Sequence, residues 1–259
     1  MQLALGTTVH DPDGRFLHVL AASRKRLAGY DGVYFRCTSV TDAGLVRELE
    51  RIGEVAIDAP GAVGHSRREA LRSAWSDGAS SFLYCDFDRW LHWASRSPRE
   101  LDELPRTIAH RTPAAWYVCL GRTARALATH PDVQQCTEGL TNQAFSSLAG
   151  RRVDATAGAC WLSREGAEIV LAKSCERTNA TDLEWPSLIL ERDPERLGYL
   201  ETEGLEFETA TFHTREIEEV GGRDAWMSLH YDYRGMWDAR VELMHASIQA
   251  AVRVLRGTG

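Results

Sequence analysis

Over the first 85 residues, short apolar runs alternate with longer amphipathic stretches, and this alternation constrains the fold more than any other feature of the chain. Leu3-Ala4-Leu5-Gly6 reads as a buried strand. After a turn at Asp11-Pro12-Asp13-Gly14, Phe16, Leu17, Val19, Leu20 and Leu27 recur at helical spacing. Gly32 to Thr38 is a second strand. Thr41 or Asp42 then caps a helix whose face is Leu45, Val46, Leu49 and Ile52. Glu54 to Asp58 is a third strand, closed by Pro60-Gly61, and Ser66 to Trp75 is a third helix. Ser81 to Cys85 is a fourth strand. Strands separated by helices of this length pair in parallel through right-handed crossovers. The expected fold class is therefore α/β, a mostly parallel sheet with helices on both faces.

In such sheets ligands bind beyond the carboxyl ends of the strands. The informative positions are Thr7 and Thr8, Thr38 and Ser39, Asp58, and Asp86 to Asp88. The rest of the chain is less regular. Trp116 to Leu120 and Ala155 to Leu162 read as strands, and helices follow Arg122, Glu138, Ser163 and Thr181. Thr181 with Glu184 fits a capping box. Trp237 to Leu255 is a long amphipathic terminal helix.

Composition excludes several classes. The formal net charge is −7, so no basic excess offsets phosphate repulsion and nucleic acid is not an expected partner. The six cysteines form no CxxC pair and read as small buried hydrophobes in a reducing compartment. Met1 to His10 lacks a basic start and a long apolar run, so no signal peptide is expected, and no stretch is apolar enough for a transmembrane segment. The expected location is cytoplasmic.

The sharpest local signal is Phe82-Leu83-Tyr84-Cys85-Asp86-Phe87-Asp88, an apolar strand emptying into Asp-x-Asp. Carboxylates at i and i+2 past a strand end can hold Mg2+ or Mn2+, with diphosphate oxygens completing a hard oxygen shell. In a chain with 16 Asp, about one Asp-x-Asp arises by chance. Asp11-Pro12-Asp13 serves as the control, because it sits in a Pro/Gly turn where Asp is common for turn reasons. Context separates the two: only Asp86 and Asp88 close the fourth strand of the series.

With its opening strand, the stretch Gly64-His65-Ser66-Arg67-Arg68-Glu69-Ala70-Leu71 and then Asp86-Phe87-Asp88, the first half resembles the GT-A glycosyltransferases, in particular the large family-2-like group. The resemblance covers residues 2–90 well and 155–190 loosely. It implies one GT-A-like domain over 1–259 with a Rossmann-like nucleotide-binding sheet. Residues 1–90 would be the nucleotide-sugar half, 91–212 the acceptor half and 213–259 a C-terminal helical extension. It also implies that Thr7, Thr8, Asp58, Arg67 and Asp86 meet the nucleotide, and that Asp86 and Asp88 hold the metal. Arg67 lies near a helix start, where backbone N–H groups and a guanidinium can both meet phosphate. Some GT-A enzymes complete the metal shell with a C-terminal histidine, for which His213, or less clearly His230, is the candidate. The Gln-x-x-Arg-Trp motif of processive synthases is absent, and so is the usual Glu-Asp pair. The nearest analogue is Thr181-Asp182-Leu183-Glu184, with Asp182 the first choice and Glu184 the second for the base that takes the acceptor proton.

The expected function is a metal-dependent glycosyltransferase with a nucleoside-diphosphate-sugar donor. Its hydroxyl acceptor would be a small molecule, a glycan or a lipid-linked group, and a homodimer is left open. A sugar-1-phosphate nucleotidyltransferase ranks lower, because Gly6-Thr7-Thr8-Val9-His10 lacks that family's Gly-rich basic loop. A non-catalytic nucleotide-binding protein of the same fold is the third reading.

Overall fold

The structure, a computed structural model, describes residues 2–257, so Met1 and the last two residues of the terminal extension lie outside the described residues. The first half runs β1 (Leu3–Val9), α1 (Leu17–Leu27), β2 (Gly32–Thr38), α2 (Ala43–Glu50), β3 (Glu54–Asp58), α3 (Val63–Ser76), β4 (Ser81–Cys85) and α4 (Phe87–Arg96). After α5 (Pro98–Arg111) come β5 (Tyr117–Arg122), α6 (Ala124–Leu127), α7 (Asp132–Ala149), β6 (Ala159–Ser163) and α8 (Arg164–Lys173). The chain continues through α9 (Thr181–Arg192), β7 (Leu197–Thr202), α10 (Thr214–Glu219), α11 (Arg223–Tyr231) and α12 (Arg234–Leu255).

The seven strands form one sheet in the order β3-β2-β1-β4-β6-β5-β7. β1, β2, β3 and β4 are parallel, with Thr38 beside Asp58 and Gly6 beside Tyr84, as the alternation in the sequence predicts. The series breaks at β6, which runs antiparallel to both β4 and β5. Apolar clusters fill both faces. Leu20, Leu45, Trp90 and Leu104 pack on one side, and Leu71, Val170, Leu183 and Ile189 on the other. Fully buried strands such as β4 are sealed between these two layers.

This topology sets the position of the site. From β1 the chain winds outward to β2 and β3, then returns across β1 to β4, which leaves a crevice past the ends of β1 and β4. β6 delivers its start to that same edge, with Ala159 beside Cys85. Two boundaries differ from expectation. The strand expected from Ala155 begins at Ala159, because Gly158 takes a left-handed φ of 64°. The helix after β4, which the sequence places from Trp90, begins at Phe87, so Asp86 is its N-cap and Asp88 lies in its first turn. No helix of the described residues is long and apolar enough to cross a membrane.

Candidate active site

At the end of β4 the Asp86 backbone N–H donates to Gly158 O at 3.1 Å. A Cβ on Gly158 would come 2.5 Å from Asp86 Oδ2, so only glycine allows this approach. Around the Asp86 carboxylate, Thr8 Oγ1 donates at 3.1 Å, Arg67 Nη2 at 3.2 and 3.3 Å, and the Tyr84 hydroxyl closes in as well. Burial would raise the Asp86 pKa, but Arg67, Arg89 and these hydrogen bonds outweigh it and hold the group below the usual carboxylate range. Asp88 has the opposite environment. Burial, Glu208 and Asp86 push its carboxyl up to about 7, with only Arg89 and one backbone N–H opposing.

Glu208, from the segment after β7, is 6% exposed, and its Oε2 has no hydrogen-bond partner among the described residues. Its Oε1 lies 3.8 Å from Arg89 Nε, the same distance that separates Arg89 Nε from Asp86 Oδ2. A buried carboxylate oxygen without a donor has the chemistry of a cation ligand. No three His, Cys, Asp or Glu side chains among the described residues are grouped to hold a metal unaided, so any shell here needs oxygens from a ligand.

Two cavities meet at this strand end. The first, of about 200 Å3, is walled by the ends of β1 and β2 (Thr8, Val9, Thr38), by the start of α3, and by Asp86, Asp88 and Glu208. The second, of about 50 Å3, is walled by Arg67, Glu138, Asp182 and Arg240 among others. Asp86, Arg89 and Asn179 line both.

The sequence candidates divide accordingly. Thr8 is on the first cavity, whereas Thr7 is fully buried away from it with an unpaired Oγ1. Asp58 is not free to meet a base, because Arg36 covers both carboxylate oxygens, Nη2 at 2.6 Å and Nε at 3.0 Å. Burial of Asp58 is outweighed by Arg36 and Ser66, and its pKa falls. Arg67 is 3% exposed and works as a hub. It donates to Tyr84 at 3.0 Å and Thr181 at 2.9 Å, and also to Asp86 and Asp182. It meets the carboxylates directly, where the sequence reading placed phosphate.

Asp182 lies on the second cavity. Its Oδ1 accepts from Arg67, while Oδ2 has no protein partner among the described residues. Burial raises its pKa to about 6, with Asp86 adding to the rise and Arg67 opposing it. Glu184 is 1% exposed and turned away from both cavities. It accepts from Cys175 N at 2.8 Å, Glu176 N at 3.0 Å and the Ser174 hydroxyl. The capping box is also absent, because Ala180 is the N-cap of α9 and Thr181 Oγ1 donates to Thr178 O at 3.3 Å. His213 does not join the carboxylates. Its Nδ1 is shared between Arg15 at 2.7 Å and Glu216 at 2.8 Å, and its ring lies 5.1 Å from that of Trp226.

Sequence reasoning missed Arg36, Arg89, Asn179 and Glu208. Arg36 carried a readable signal, a charge in the middle of the apolar strand Gly32–Thr38. Glu208 and Asn179 carried none, since the fold alone returns them to the end of β4.

No family model matches the chain, and no curated protein matches it. Solved structures do. Mannosyl-3-phosphoglycerate synthase from Rubrobacter xylanophilus superposes with a TM-score of 0.60 at 14% identity, over 100% of this chain and 75% of that one. Glucosyl-3-phosphoglycerate synthase from Mycobacterium tuberculosis gives 0.57 at 11% identity, over 98% of this chain and 81% of that one. The same enzyme in complex with Mn2+, UDP-glucose and phosphoglyceric acid gives 0.51 at 12% identity, over 77% and 69%. The chain has the GT-A glycosyltransferase fold. Within the GT-A sheet, the strand that ends in Asp86-Phe87-Asp88 is β4, beside β1, and the crevice described above lies at its carboxyl end.

Proposed function

We propose that this protein is a metal-dependent glycosyltransferase that moves a sugar from a nucleoside-diphosphate donor to a hydroxyl acceptor. One observation carries the reading. Asp86 stands at a strand end between the two cavities, and Asp88 and Glu208, with its unpaired buried Oε2, stand beside it in the wall of the first. The Mn2+ and UDP-glucose complex of the Mycobacterium tuberculosis enzyme supports it at the level of fold.

The donor set fits Mg2+ or Mn2+. Asp88 and Glu208 would supply hard oxygen ligands, since no protein cation fully neutralises them, and diphosphate oxygens would complete the shell. A divalent ion bound there neutralises charge on the departing diphosphate. Asp86, already fixed by Thr8, Tyr84 and Arg67, acts as the rigid partition between donor and acceptor sides. The nucleotide occupies the cavity of about 200 Å3 at the ends of β1 and β2. With Asp58 covered, the Arg36 guanidinium is the charged group that this end presents.

The acceptor approaches along the second cavity toward Asp182. Its Oδ2 is free to take the hydroxyl proton, while Arg67 holds Oδ1 and fixes the orientation. With a pKa of about 6, the group is mostly ionised at neutral pH, as a base requires. Glu184 positions the loop before α9 and takes no proton.

The test is release of nucleoside diphosphate from UDP-glucose, GDP-mannose or ADP-glucose with Mn2+ and a panel of anionic, neutral and lipid-linked hydroxyl acceptors. EDTA should abolish the release. Metal-dependent nucleotide binding with no release across the panel would favour a non-catalytic nucleotide-binding protein instead.

A further inference from the structure

We propose that Asn179 reads the hydroxyl groups of the transferred sugar; this rests on the transferase reading above. Asn179 lines both cavities, a position it shares only with Asp86 and Arg89 among the described residues. Its Oδ1 is buried without a hydrogen-bond partner, and its Nδ2 has none among the described residues. An amide with both ends open is unusual beside Arg67, Arg89 and Asp86, which are all paired.

The segment that carries it has no regular secondary structure between α8 and α9, yet it is tied down at nearly every residue. Cys175 N and Glu176 N donate to Glu184 at 2.8 and 3.0 Å. Gly64 N donates to Arg177 O at 2.9 Å, and Ala180 N donates to Thr178 Oγ1 at 3.2 Å. Asp182 N donates to Asn179 O at 2.9 Å. A Cβ on Gly64 would come 2.6 Å from Glu176 O and 2.8 Å from Thr178 O, so α3 and this segment are in backbone contact. These anchors hold the backbone around Asn179 in one place while leaving its side-chain polar atoms unused, which is the arrangement expected of a group kept ready for a ligand.

The chemistry of that ligand follows from the amide. A carbonyl oxygen accepts and an N–H donates, which matches hydroxyl groups, since these do both. A phosphate only accepts and is better served by cations. The guanidiniums at the junction, Arg67 and Arg89, are already committed to Asp86, Asp182 and Glu208. The part of a nucleotide sugar that presents hydroxyls between diphosphate and acceptor is the sugar itself.

The experiment compares dissociation constants, with Mn2+, for UDP against UDP-glucose, GDP against GDP-mannose and ADP against ADP-glucose. It uses the parent protein, Asn179→Ala and Asn179→Ser. For the pair that the parent binds, Asn179→Ala should keep the nucleoside diphosphate affinity within about twofold. It should weaken the nucleotide sugar by about tenfold, the scale of one or two neutral hydrogen bonds. Asn179→Ser, which retains one hydroxyl, should lie between the two and decides the question if the alanine variant does not fold. The proposal is overturned if the folded variants bind the nucleotide sugar as the parent does, or if the sugar adds nothing to parent affinity in any pair. A parent that binds none of the nucleotides removes the transferase reading itself.

Discussion

At the scale of single residues, the two halves of the Asp-x-Asp are set to opposite tasks by their neighbours. Asp86 is held ionised by Arg67 and Arg89, while burial, Glu208 and Asp86 push Asp88 up. A carboxyl whose folded pKa lies above its unfolded value near 3.9 binds protons more tightly in the native state. Its contribution to stability therefore falls as pH rises from about 4 to about 7, and is constant above that. Asp88→Asn should accordingly stabilise the metal-free protein by about 1–2 kcal/mol at pH 8 and by little at pH 4; partial solvation keeps the gain below the full linkage value. Melting curves at the two pH values check it, and an equal shift at both would mean that Glu208 and Asp86 do not strain Asp88. Asp182 gives a second prediction. The first turn of a helix favours a carboxylate, yet burial and Asp86 win and raise Asp182 to about 6. Asp182→Asn should keep donor affinity and lower turnover by about 10²-fold or more, and parent turnover should fall on the acid side of pH 6. The places of Asp86 and Asp88 past β4 and of Asp182 at the start of α9 were legible in the sequence because each lies near a boundary that local pattern defines; the bonding of Arg67, within α3, to those carboxylates was not. Glu208 and Asn179 were not, because nothing local distinguishes them from surface residues.

At the scale of elements, the segment before α9 shows what periodicity cannot read. Thr181 and Glu184 have capping-box spacing, but Glu184 instead accepts from the backbone of Cys175 and Glu176, and Arg67 donates to Thr181. Tertiary partners outcompete the local motif because these backbone N–H groups have no strand or helix to satisfy them and find their acceptor in the buried Glu184 carboxylate. Glu184→Gln keeps an oxygen for the two N–H groups, which share Oε1, but turns an NH2 toward the Ser174 hydroxyl that donates to Oε2, and should cost about 1–3 kcal/mol of stability. A melting temperature within 1 °C of the parent would show that the loop does not depend on Glu184. The first four strands and their helices were legible in order and type, with β2, β3 and β4 at their observed bounds and β1 and α3 each three residues short at one end, since alternating short and long periods fix them. The reversal at β6 was not. Its small-residue composition fits either direction, and only the positive φ of Gly158 beside Asp86 fixes where it enters the sheet.

At the scale of the whole molecule, the sheet order places the carboxyl ends of β1 to β4 along one edge, and α12 walls the second cavity by bringing Arg240 against Glu138 at 3.1 Å. The first half thus walls most of the first cavity, and the second half supplies Asp182, Asn179 and Glu208 to the same strand end. The most direct measurement is a calorimetric titration of the parent and Asp88→Ala with UDP, GDP and ADP, each with Mn2+ and with EDTA. Asp88 lies in the first turn of a helix at the sheet edge, so the alanine variant should remain folded. The expected result is that one nucleotide binds the parent at least about tenfold more tightly with Mn2+ than with EDTA, and that Asp88→Ala abolishes this dependence. Nucleotide affinity that ignores Mn2+, or a dependence that survives in Asp88→Ala, would contradict it.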